Sequence, residues 1–171
     1  MTTVASTDAA PSHRWLRVLL VLIGALELLD ALPGIQNIFT DYHHDTALLR
    51  FAQGLTSARL ALSPLLAGAA LIFAAVGKIR NAILTLAALI LTTWLTDSLP
   101  AIAIHGFRLK PDFGALEDFV LYIFAPAAAV TAAILALKGR LSVAGAIVGL
   151  PFLFKWITGV IFVSALLIYG F

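Results

Sequence analysis

Cysteine is absent from the chain, and charged side chains make up only 12% of its 171 residues. The first absence rules out disulfides, thiolate zinc sites, cysteine-ligated iron–sulfur clusters and covalent c-type haem. Bis-histidine haem and a bound quinone stay compatible with it. The second rules out an ordinary soluble domain, where about a quarter of residues are charged. Nucleic acid is not an expected partner, because the formal charge is only +2 and no basic stripe interleaved with aromatics occurs. Also missing are a nucleotide loop, a zinc-protease motif, a serine-nucleophile elbow and a glycine-rich cofactor fingerprint.

What fills the sequence is apolar. Hydrophobic residues reach 61%, more than a soluble chain of this length can bury. A membrane crossing needs roughly 20 apolar residues, and five segments supply them, at about 15–32, 58–76, 79–104, 116–137 and 141–169. The expected fold is all-α: a polytopic integral membrane bundle of five transmembrane helices, one domain over 14–171, with the lipid bilayer as partner. Residues 1–13, with Pro11, form a flexible cytoplasmic tail. Glu27 and Asp30 interrupt the first apolar stretch and no small-x-small cleavage site follows, so it reads as an uncleaved helix. In 47–58, Arg50, Gln53 and Ser57 sit at helical spacing among apolar residues, which fits an interfacial helix or an outward extension of the second span. The 29 residues of the last segment would reach ~43 Å against a hydrocarbon core of roughly 30 Å. One tilted or kinked helix is the preferred reading, and two shorter segments divided near Pro151 are the alternative.

Orientation follows from the tendency of short cytoplasmic loops to hold Lys and Arg. With the N-terminus inside, Arg14, Arg17, Lys78, Arg80, Lys138 and Arg140 share that side, six of the eleven basic residues, and only Asp8 of the nine acids joins them. Five crossings place the C-terminus outside, and the expected location is the cytoplasmic (inner) membrane. The turns Gly77-Lys78-Ile79-Arg80 and Lys138-Gly139-Arg140 look alike, and each follows a helix with an early proline, Pro64 or Pro126. They hint at a degenerate hairpin repeat, matched with a two-residue offset because Asp97 lies seventeen residues after Arg80 and Lys155 fifteen after Arg140.

Chemistry can reside in Glu27, Asp30, Arg59, Asp97 and Lys155, all assigned to the outer half of the spans. A charge near the bilayer centre costs about 2.5 to 3.5 kcal/mol or more, so Glu27 must be protonated, paired or open to water. The functional reading is a proton- or cation-binding site open to the outside; the structural one is an ion-pair network that fixes helix register. Glu27 is expected to couple to Lys155 or Arg59. A second candidate comprises His43, His44 and Asp45 in the first outer loop with His105, whose imidazoles and carboxylate suit Zn or Cu. Their spacing matches no strong metal signature. His105 turned inward could instead be a haem ligand. Gly145 and Gly149 form a GxxxG pair that permits close helix approach within the bundle or in a homo-oligomer.

The general plan, a small bundle with short basic inner turns, is similar to DoxX-like membrane proteins, in hydropathy and in Leu66 to Leu91. No activity or site residue is transferred by that likeness. The leading expectation is nonenzymatic: binding or passage of a proton, ion or small solute through the outward-facing cluster. A quinone- or haem-linked redox subunit is the second reading, and a scaffold for other membrane proteins the third.

Overall fold

The computed structural model describes residues 14–35, 47–106 and 113–170. In an apolar segment each backbone N–H and C=O must be satisfied locally, and a helix achieves this. The described residues accordingly form α1 (Arg14–Ala31), α2 (Ala47–Ala75), α3 (Ile79–Thr93), α4 (Leu99–His105), α5 (Phe113–Phe119), α6 (Ala125–Leu137) and α7 (Leu141–Tyr169). One π turn, Trp94–Ser98, joins α3 to α4, and another, Val120–Phe124, joins α5 to α6. The result is five rods long and apolar enough to cross a membrane: Arg14–Ile35, Gln53–Ala75, Ile79–Ala103, Ala115–Leu137 and Leu141–Tyr169.

Both open alternatives for these segments are resolved. Residues 47–58 are not a separate interfacial helix; they continue α2 without a break. The last segment is one helix with Pro151 inside it, because a single missing N–H removes one rung while the flanking turns keep the ladder.

The rods form a collapsed ring in which α1 packs on α2, α2 on α3, α3 on α6 and α6 on α7, while α7 returns to α1 along a sparser seam and α3 also touches both α1 and α7. Its core is dominated by small residues. Displacing the chain by 62 positions carries Pro64 onto Pro126, Gly77 onto Gly139, Trp94 onto Trp156 and Thr96 onto Thr158. The same displacement superposes the burial pattern: Ala67, Ala70, Ala74, Ala82 and Leu86 fall on Ala129, Ala132, Ala136, Ala144 and Val148, and all ten are 0% exposed. Both turns close identically, Lys78 N–H donating to Phe73 O at 2.8 Å and Arg140 N–H to Leu135 O at 2.9 Å. Each needs a glycine at positive φ, Gly77 at 82° and Gly139 at 78°. The two hairpins thus match without the two-residue offset that the charged residues imply.

The first rod stands outside the repeat, wedged between α2 and α7. Arg17 donates to Ala75 O and so caps the last turn of α2. Gly24 lets the backbones of α1 and α2 meet, since a Cβ there would lie 3.0 Å from Leu71 N and Cα. Gly24→Ala should therefore lower stability by about 1 to 3 kcal/mol, measured by denaturation in detergent. Gly68→Ala, whose added methyl would lie 4.0 Å from Leu28 Cδ1, should be close to neutral. The GxxxG pair serves the opposite seam within the chain, Gly145 against Leu16 and Gly149 with Ile23 Cδ1 3.5 Å from its Cβ position.

Candidate functional site

Away from the two basic turns the ring encloses a cavity of about 360 Å³. Every rod sends a charged side chain to it: Glu27 and Asp30 from the first, Arg59 from the second, Asp97 from the third, Glu117 from the fourth and Lys155 from the fifth. All five charged candidates from the sequence thus line one space, and Glu117 joins them. Ile90, Leu121, Phe152 and Phe154 form apolar wall between the charges. Four carboxylates face two cations, a formal excess of two negative charges.

Lys155 Nζ donates to Glu27 Oε2 at 2.8 Å, to Glu27 Oε1 at 3.1 Å and to Asp30 Oδ2 at 2.8 Å. Residues 27 and 30 share a face of α1, so one ammonium can bridge them. Trp156 Nε1 donates to Glu27 Oε1 at 3.0 Å, and Glu27 keeps only 8% of its side-chain exposure. The buried acid is therefore fully engaged by α7. Across the cavity, Arg59 pairs with Asp97 at 2.9 Å rather than with Glu27. Arg59 Nε is buried and meets no acceptor among the described residues.

The π turns shape this region. Pro126 has no N–H to offer the carbonyl four residues earlier, Tyr122 O. Trp94 Nε1 donates to that carbonyl at 2.9 Å, tying the two π turns together. Thr96, buried at the other π turn, places its hydroxyl on Thr92 O at 2.8 Å, and its repeat counterpart Thr158 does the same to Phe154 O at 3.0 Å. Trp94→Phe should cost about 1 to 2 kcal/mol by removing the indole donor from Tyr122 O. In a Pro126→Ala background that loss should shrink, because residue 126 regains its N–H; a thermal-denaturation cycle measures the difference.

No protein-family model, curated protein or solved structure matches this chain. The DoxX-like plan accordingly adds no residue to the site, and its chemistry rests on the side chains themselves.

His43, His44 and Asp45 lie outside the described residues. His105 ends α4, with only its backbone described. Among the described residues no three His, Asp or Glu side chains are grouped to hold a metal ion. Sequence reading missed Trp156, Glu117 and the Trp94–Tyr122 tie. A signal for the last was present: Pro126 cannot donate to Tyr122 O, which leaves that carbonyl open to a side-chain donor.

Proposed function

We propose that the chain is a five-span protein of a cytoplasmic-type (inner) membrane whose outward-facing cavity binds a small cation or polar solute. The embedding is supported by the apolar surface: Leu22, Leu65, Ile72, Val130, Ile134, Val143 and Val160 all point outward from the ring and are more than 45% exposed. The basic turns favour placing their end in the cytoplasm, which leaves the cavity open to the other side.

One observation carries the binding reading: charged groups from all five rods converge on a single cavity of about 360 Å³, within the range of roughly 300 to 1,000 Å³ that small-molecule sites occupy. A network serving only to fix helix register needs no such space. Below the cavity, Leu16, Leu20, Ile83, Leu86 and Val148 are fully buried and pack the ring shut. Binding is thus what this conformation supports, and passage requires the hairpins to move. Simple proton acceptance is less well supported, since both oxygens of Glu27 already accept hydrogen bonds from α7.

Thermal stabilisation of the purified protein by a panel of small cations, zwitterions, carboxylates and neutral solutes tests the reading. At least one class should stabilise saturably, and Ser63→Phe, which fills the cavity from α2, should abolish that effect while the protein stays folded. A panel without a single saturable stabiliser would contradict the proposal.

A further inference from the structure

The cavity already holds an ammonium ion, tethered to α7. Lys155 Nζ meets three carboxylate oxygens, two at 2.8 Å and one at 3.1 Å, which matches the three donors of a primary ammonium. The Trp156 ring lies 5.8 Å from Nζ and adds a cation–π attraction.

Two features make that occupant exchangeable. The Lys155 side chain is 42% exposed although Glu27 is not, so a competitor can reach its binding partners from the cavity. Glu117 lines the same cavity and makes no ion pair with any described residue, so the cavity offers a displaced lysine a further carboxylate. Beside the acids, Ile90, Leu121 and Phe152 offer apolar wall to a carbon chain. The formal excess of two negative charges favours a cation over an anion.

We infer that the cavity takes a small primary alkylammonium compound, whose –NH₃⁺ replaces Lys155 at Glu27 and Asp30 while its alkyl chain lies on the apolar wall. The inference rests on the solute-binding reading above and gives it a ligand class. A quaternary ammonium is excluded from the class because it has no N–H for the three oxygens. Ligand and Lys155 compete, so removing the lysine side chain vacates the place of the ligand's head group.

The test is thermal stabilisation of the wild type and of Lys155→Ala by butylammonium, with tetramethylammonium and butyrate for comparison. Butylammonium should stabilise the wild type saturably and bind Lys155→Ala about tenfold more tightly, because no internal cation must be displaced. Tetramethylammonium and butyrate should be without effect on either protein. If Lys155→Ala does not fold, the ranking of the three probes on the wild type decides. Saturable binding of butyrate or of a neutral solute, lost in Ser63→Phe, together with indifference to butylammonium, would overturn the ligand class and leave the solute-binding reading standing. Indifference to butylammonium and to every other panel member would overturn both. Weaker butylammonium binding to a folded Lys155→Ala would overturn the competition.

Discussion

Lys155→Met is expected to be the most damaging single substitution at the cavity. Removing one partner of a fully buried ion pair costs about 3 to 5 kcal/mol. Lys155 is itself 42% exposed, so roughly 2 to 4 kcal/mol is expected once screening is allowed for. Methionine keeps most of the volume, and the loss is electrostatic. Glu27, 8% exposed, would keep only the Trp156 N–H, with Asp30 a like charge on the same helix face. Adding Glu27→Gln should recover part of the loss, since the second substitution removes the stranded charge. Glu27→Gln alone should cost less than Lys155→Met, because the lysine retains Asp30 at 2.8 Å. Denaturant titration in micelles of all three variants completes the cycle. A Lys155→Met protein as stable as wild type would mean that Glu27 is solvated without α7.

The second large effect is expected from Gly145→Val, at the seam where α7 meets α1. A Cβ at residue 145 already overlaps Leu16, which is 0% exposed and cannot swing into open space. The branched side chain must push the two helices apart, and overpacking of this kind costs about 3 kcal/mol. The same displacement would draw Lys155 and Trp156 away from Glu27, so the cavity should change with the stability. Leu16→Ala vacates the space and should restore part of the loss in the double variant. Gly159→Val lies on the same helix where no atom comes within 4 Å of the Cβ position, and it should be nearly neutral. Equal stability of Gly145→Val and Gly159→Val would show that the seam yields freely.

The five rods were legible because apolar runs of this length have few other fates, and the basic turns punctuated them. Depth was legible only in part: counting from Arg80 and Arg140 placed Asp97 and Lys155 at ~23 to 26 Å, but counting from Arg17 placed Glu27 at only ~15 Å, although Lys155 reaches Glu27 in the structure. Direction around the helix axis was not legible. Because α1 neighbours both α2 and α7, depth alone left Glu27 free to choose Arg59 or Lys155, and only side-chain direction separates them. The hairpin repeat was read through its charges, which is where the two copies diverge: Arg59 falls on Leu121 and Asp97 on Gly159. Its true register lies in buried alanines, the prolines, Trp94 with Trp156 and Thr96 with Thr158, residues held by packing and backbone satisfaction rather than by charge. The π turns left no periodic mark, since a single extra residue in a long apolar run does not alter hydropathy.

The absence of cysteine makes single-cysteine labelling the most direct test of the central claim, that a charged cavity opens to the non-cytoplasmic side. Ser98→Cys puts a thiol on the cavity lining, and Lys78→Cys puts one in the first basic turn. A membrane-impermeant maleimide applied to intact cells should modify Ser98→Cys and spare Lys78→Cys until the membrane is permeabilised. The reverse pattern, or a Ser98→Cys thiol that reacts from neither side, would contradict the account.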